Sequence, residues 1–296
     1  MATNPDTTRH RHEAELTALA LLSGRRYDLP GLIRAANVRP RRFRQIRPTE
    51  ALKAQLAAPY FDIVRAWRDE RATLLDAFDQ AVAFGDASII KRQVDASAAK
   101  IAARFGNVAG RFADILARIE RWHRAAWINR IRAATSLDVS LHTTGADVRQ
   151  SIATAQTWNE QLAGDVHQQT AHRIVTALVA AAAAIGVGFV ASESTTARAK
   201  RVAGVGTALD EVFAKAKRRA AGIGVDQVIK ISRAMDRDRA AAAGLDEWIW
   251  RHLDPQKHPR PEHQARDGQV FSSKRKPSEL PATLPFCHCW SEPKLS

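Results

Sequence analysis

Trp248-Ile249-Trp250, Asp254, Arg260-Pro261-Glu262-His263, Asp267-Gly268-Gln269-Val270-Phe271 and Cys287-His288-Cys289-Trp290-Ser291-Glu292-Pro293 follow one another at the C-terminal end of this chain. The 2 cysteines of the sequence both stand here, one residue apart, behind its densest cluster of Trp, His and Pro. Upstream of it, alanine and arginine dominate. The change in composition predicts a mainly α protein: a long multi-helix body followed by a small C-terminal β/loop module. The expected blocks are an arginine-rich arm over 1–48, a helical body over 49–244 and the module over 245–296.

The body reads as a series of helices. Pro48-Thr49-Glu50 opens one, with Thr49 as its N-cap. Leu52, Leu56, Ile63, Val64, Trp67, Leu74, Leu75 and Phe78 follow an apolar stripe of helical period, with a break or kink expected at Pro59. Gly85-Asp86 ends that segment. A second helix is expected from about Ala87 to Arg104, and Gly106-Asn107 separates it from a third ending near Ala134. Leu137 to His142 alternates apolar and polar residues, as a short strand would. Thr144 then caps a helix from Ala146. Leu209 to Ala221 is helical, Gly222-Ile223-Gly224 reads as a turn, and Val225 to Ala243 forms a last helix with Gly244 as its C′ residue.

The chain has 296 residues, 45 Lys and Arg against 31 Asp and Glu, and a formal charge of +14. Its 45% hydrophobic content suits a globular protein rather than a disordered one. Excess positive charge favours polyanionic partners: nucleic acid, an anionic membrane face or an acidic protein surface. Two cysteines cannot build a disulfide framework. Alternate residues of an extended segment point to opposite faces, so Cys287 and Cys289 are expected as free thiols of a protein made in a reducing cytoplasm. Met1-Ala2-Thr3-Asn4-Pro5-Asp6 has no apolar core of a secretory leader. Ile174 to Ala191 is free of charge over about the minimum length of a membrane span. Its alanines and its Gly186 and Gly188 favour a buried or inter-subunit helix over a membrane-active segment.

Ten arginines lie between Arg9 and Arg47, against Glu13, Glu15 and Asp28. Pro30, Pro40 and Pro48 divide the segment. It reads as a solvated arm, and Arg39, Arg41, Arg42, Arg44 and Arg47 are its candidate polyanion-binding residues.

The C-terminal residues also carry a family resemblance. Asp226-Gln227-Val228-Ile229-Lys230 precedes Gly244-Leu245-Asp246-Glu247-Trp248-Ile249-Trp250. Asp254, the Arg260-x-x-His263 pair, Gly268, Phe271 and the Cys287-x-Cys289 pair follow in order. Residues 220–293 thereby resemble the C-terminal signature of the phage Mu F-like minor head proteins, also called phage head morphogenesis proteins. The segment from Ile46 to Trp67 is loosely similar as well. The chain departs from the pattern at His288, where the family usually has arginine. The resemblance implies a non-enzymatic minor capsid protein of a tailed phage or prophage. It would be made in the host cytoplasm and act inside the head, at or near the portal. Implied partners are the portal or major capsid protein, with double-stranded DNA also in reach. A low-copy homo-oligomer or a portal-symmetric assembly would follow; a membrane would not. Trp248, Trp250, Asp254, Arg260, Gly268, Phe271 and Trp290 would organise the module.

Cys287, Cys289 and His263 offer ligands suited to Zn²⁺, with His258, His288 or Asp267 as a fourth. Structural zinc sites ordinarily space their cysteines by two to four residues. The tighter spacing favours no cofactor: a packed cysteine pair, with His263 hydrogen-bonded near Asp254, Asp267 or Arg260. Structural zinc is the alternative. The asparagines are Asn4, Asn37, Asn107, Asn129 and Asn159, so the middle residue of a His-Asn-His nuclease is missing near His263. Cys287 with His263 could form a thiol–imidazole pair, but no oxyanion-binding element accompanies it. Arg260 and Arg266 read as salt-bridging or phosphate-facing. The competing functional classes are a DNA-binding packaging or ejection protein and a membrane-penetrating effector, the latter supported by Ile174 to Ala191 alone.

Overall fold

The computed structural model describes residues 28–139, 146–185, 193–253 and 260–295. The protein is mainly α with a small C-terminal sheet. The described helices are α1 (Leu29–Ala35), α2 (Glu50–Asp69), α3 (Arg71–Phe84), α4 (Ser88–Arg104), α5 (Val108–Thr135), α6 (Ala146–Ile185), α7 (Thr195–Ala242) and α8 (Pro261–Ala265). The strands are β1 (Trp248–Arg251), β2 (Val270–Phe271) and β3 (Trp290–Pro293), in the order β2-β1-β3 and antiparallel throughout.

Local signals set several helix ends. The Thr49 hydroxyl accepts the Leu52 N–H at 3.3 Å, the N-cap bond of α2. Gly85 takes a left-handed conformation at φ 66° and closes α3. At the end of α7, Gly244 has φ 74°, and the Leu245 N–H reaches back to the Ala240 carbonyl at 2.9 Å, a Schellman closure.

Two expected breaks, and one expected strand over its described residues, are absent. Pro59 lies inside α2, where it removes one backbone donor without dividing the helix. Leu137 and Val139 are buried but form no strand, and His142 and the proposed cap Thr144 lie outside the described residues. Gly222 and Gly224 do not turn the chain, because α7 runs through them for 48 residues. The reason at Gly224 is close approach rather than flexibility. A Cβ there would stand 2.5 Å from Ala57 Cβ and 2.9 Å from Ala57 N, so the missing side chain lets α7 meet α2. Gly164 in α6 has nothing within 4 Å of its virtual Cβ. Gly164→Ala is therefore expected to stabilise by up to about 1 kcal/mol through helix propensity. Gly224→Ala is expected to destabilise by about 1–3 kcal/mol despite the same propensity gain. Urea titration of the two variants checks this; equal effects would remove the close-approach account.

The compact units do not follow the three expected blocks. One unit combines Met1–Leu52, Leu116–Ala155 and Asp226–Ser296; the other combines Lys53–Ile115 and Gln156–Val225. Helices α2, α5, α6 and α7 each contribute residues to both, so composition blocks along the chain do not mark the units.

In the second unit, Tyr60 and Phe112 pack with ring centroids 5.3 Å apart, and the Tyr60 hydroxyl donates to Asn159 Oδ1 at 2.6 Å. Trp67 Nε1–H donates to His167 Nδ1 at 3.1 Å. Glu70, between α2 and α3, accepts from Ser97 Oγ at 3.1 Å and Lys100 Nζ at 2.6 Å on α4. The uncharged stretch of α6 buries Ile174, Leu178 and Ala182, four residues apart on one face, and leaves Ile185 exposed. Among the described residues no helix is long and apolar enough to cross a membrane. Residues 186–191 of the stretch lie outside the described residues.

In the first unit, residues 28–48 are not a solvated arm. Asp28 caps α1 through the Gly31 N–H at 2.9 Å, and Leu29, Ile33, Phe43 and Ile46 pack with Trp127, Ile131, Leu137, Trp290 and Leu295. The apolar residues between the arginines carry this segment into the core. Its arginines Arg39, Arg41, Arg44 and Arg47 stay exposed. Arg42 is exposed as well but forks onto Glu292 of β3, with Nε to Oε1 at 2.9 Å and Nη2 to Oε2 at 2.9 Å. Arg251 reaches the same carboxylate. Arg42 is thus a structural ion-pair partner rather than a free phosphate ligand. Residues 1–27 of the expected arm lie outside the described residues.

Candidate metal centre

The sheet exists because β1 alternates. Trp248 and Trp250 share one face, two residues apart, while Ile249 and Arg251 share the other. Trp248 pairs with Phe271, their rings stacked at 5.0 Å, and Trp250 pairs with Ser291 of β3. Trp250 is fully buried with Phe271, Cys287 and Cys289, and Trp248 packs against the group. Trp290, expected in the same cluster, is elsewhere. It sits opposite Arg251, faces away from Trp250 and joins the helical core with Trp127.

The turn between α8 and β2 sets the depth of the cluster. Gly268 adopts φ 79°, its N–H donates to the Trp250 carbonyl at 2.9 Å, and the Trp250 N–H donates to Gln269 O at 2.9 Å. Only glycine takes that backbone conformation freely. Arg260 precedes α8 in extended conformation, and its guanidinium donates to the Pro285 carbonyl at 3.0 Å. Arg266 donates to Ser278 Oγ at 3.0 Å and lies over the Trp250 ring at 5.2 Å. Both arginines therefore brace loops rather than facing phosphate. Asp254 lies outside the described residues.

The cysteine pair arrives by a turn. The Cys287 N–H donates to Leu284 O at 3.2 Å, Phe286 has φ 56°, and the Phe286 N–H donates to Asp226 Oδ1 at 2.6 Å. Strand β3 begins only at Trp290. Cys287 is therefore not part of an extended run, and the expectation that the two sulfurs point apart does not hold. Both are free thiols, fully buried, and both face one ring. Cys287 Sγ lies 3.3 Å and Cys289 Sγ 3.6 Å from His263 Nδ1. His263 is 1% exposed, and its other ring nitrogen, Nε2, lies 3.4 Å from Glu279 Oε2. Of the expected side-chain partners of His263, Asp267 is corrected by this arrangement. Asp267 accepts the His252 N–H at 2.8 Å, and Arg260 meets His263 only through a backbone bond. Trp250 packs edge-on against the imidazole at 5.1 Å.

His263 Nδ1, Cys287 Sγ and Cys289 Sγ lie within 4.8 Å of one another, a group able to hold a metal ion. His288 and Asp267 do not belong to it, and His258 lies outside the described residues. The Cys287 thiol is held well below the ordinary thiol range. Hydrogen bonding with the Cys289 side chain is the main cause, against burial that works the other way; backbone N–H groups and His263 add to it. Thiolate is the form that binds metal. One further residue approaches the sulfurs and is absent from the ligands expected from sequence: His252 Nδ1 lies 3.4 Å from Cys289 Sγ. Its signal is the period of two in β1, which continues from Trp248 and Trp250 to His252.

No family model matches the chain, and no curated protein and no solved structure matches it.

Proposed function

We propose that this chain is a minor head protein of a tailed phage or prophage, acting structurally in head morphogenesis at or near the portal, inside the head. One observation supports this reading. The residues carrying the likeness to Mu F-like minor head proteins, far apart in sequence, serve a single module. Trp248, Trp250 and Phe271 fill its apolar cluster. Gly268, Arg260 and Asp226 fasten its turns, and His263, Cys287 and Cys289 meet at its centre. Within this reading the cluster holds a structural zinc ion that fixes the module and takes part in no reaction. Elemental analysis of protein purified without chelator tests the ion.

The portal ring is the proposed partner, and the test is co-expression with the portal protein of the same phage or prophage. Co-sedimentation at low and moderate salt is the expected result; portal rings that purify without the chain would remove the assignment. The second reading, a DNA-binding packaging or ejection protein, is favoured by the +14 charge and by exposed Arg39, Arg41 and Arg44. If it holds, DNA retention falls steeply with salt, and replacing these three with Ala lowers the log–log salt slope by roughly 2–3, at about 0.9 for each phosphate no longer neutralised. An unchanged slope assigns the basic surface to protein partners.

A further inference from the structure

We infer that His252 is the fourth ligand of the metal centre, closing a Cys₂His₂ tetrahedron with His263, Cys287 and Cys289. The inference rests on the zinc reading above and adds the residue that makes the site closed rather than open. Tetrahedral zinc with bonds of about 2.3 Å to sulfur and about 2.0–2.1 Å to nitrogen spaces a sulfur and a nitrogen ligand by about 3.6 Å. The three sulfur–nitrogen separations here are 3.3, 3.4 and 3.6 Å, and two of them end on the same His263 nitrogen. One Nδ1 offers a single proton or a single lone pair, so it makes one direct hydrogen bond to the two sulfurs that converge on it. A cation shared by the three groups draws both sulfurs to the same nitrogen.

The remaining coordination direction belongs to His252. His263, Cys287 and Cys289 are buried, whereas His252 is half-buried and approaches through Cys289. It stands outside the 4.8 Å group, so a side-chain rotation must bring its nitrogen inward. Its backbone is already fastened, because its N–H donates to Asp267 Oδ1 at 2.8 Å. The surroundings of His263 match a ligand as well. Nδ1 faces the sulfurs, while Nε2 faces the Glu279 carboxylate, the arrangement by which metal-bound imidazoles are oriented. Four protein ligands leave no position for water or substrate, which makes the ion structural. The ion would join the end of β1, helix α8 and the loop before β3.

The test uses the full-length chain with zinc alone and with cobalt(II) as a spectroscopic substitute. The wild-type protein is expected to bind one ion per chain and to give cobalt bands of tetrahedral intensity with thiolate-to-metal absorption. His252→Ala is expected to weaken zinc binding by about 10- to 100-fold and to change the cobalt bands as water enters. His252→Cys keeps four-coordinate binding and adds a third thiolate's charge-transfer absorption, a gain that a residue merely near the site would not give. Unchanged affinity and bands in His252→Ala, or no added absorption in His252→Cys, overturn the fourth-ligand assignment while leaving a three-residue site standing. No metal in the wild-type protein overturns both.

Discussion

Asp236→Ala is expected to cost about 3–5 kcal/mol of folding stability, because it breaks a buried charge chain by removing one link. Asp236 is 2% exposed, with Oδ1 3.0 Å from His123 Nε2 and Oδ2 2.9 Å from Arg233 Nη1. His123 in turn accepts at Nδ1 from Arg239 Nε–H at 3.2 Å, and Arg239 Nη2 donates to Glu120 Oε1 at 2.7 Å. Arginine is always a donor, so His123 is the neutral tautomer with its proton on Nε2, directed at Asp236. The chain ends where Arg233 Nη1 also donates to the Ile46 carbonyl at 2.8 Å, fixing the segment before α2. Removing the carboxylate leaves a buried guanidinium without its counter-charge and an imidazole N–H without an acceptor. Asp236→Asn keeps one acceptor oxygen and should lose less. Urea unfolding followed by far-UV circular dichroism measures both. A loss below about 1 kcal/mol in the alanine variant would mean that water replaces the carboxylate and the site is not dry.

That network shows where local sequence signals stop. Helical period, caps and glycine closures announce α2, α4, α5, α6 and the end of α7, since those signals are local. The charge chain is invisible in sequence because Glu120, His123, Arg233, Asp236 and Arg239 read one by one as surface residues of arginine-rich helices. Only the pairing of α5 with α7 makes them interior. Gly224 misleads for a related reason. A glycine needed for close approach to Ala57 looks, in sequence, the same as one needed for a turn. The arginine-rich segment hides its apolar half: Leu29 and Ile33 keep helical spacing for only the one short helix α1, and Phe43 and Ile46 lie in no regular element, so the pattern is too short to mark them as core. At the centre of the module, residue types point to His263, Cys287 and Cys289. His252 escapes notice because it stands far from the cysteines in sequence, at the end of a strand whose alternation is marked most plainly by Trp248 and Trp250.

Trp250→Ala is expected to cost about 3–5 kcal/mol, the range for deleting a fully buried aromatic side chain. Trp250 is 0% exposed and occupies the central strand, with rings on several sides: Trp248 at 6.2 Å, Phe271 at 6.2 Å and His263 at 5.1 Å. The cavity cannot close by strand movement. Strand β1 is held by β2 on one edge and β3 on the other, and β3 is anchored through Trp290 in the core around Trp127. The loss should therefore appear first as opening of the sheet. Hydrogen exchange is expected to accelerate at the Trp250 amide, which donates to Gln269 O, and at the Gly268 amide, which donates to Trp250 O. Trp250→Phe retains part of the ring packing and should lose roughly half as much, as partial truncations of buried side chains do. The side chain also walls the edge of the His263 ring, so the alanine variant should bind metal more weakly than Trp250→Phe. Unchanged exchange at both amides in Trp250→Ala would show that the backbone pairing, not the tryptophan, holds the sheet, and would remove the packing account of the module.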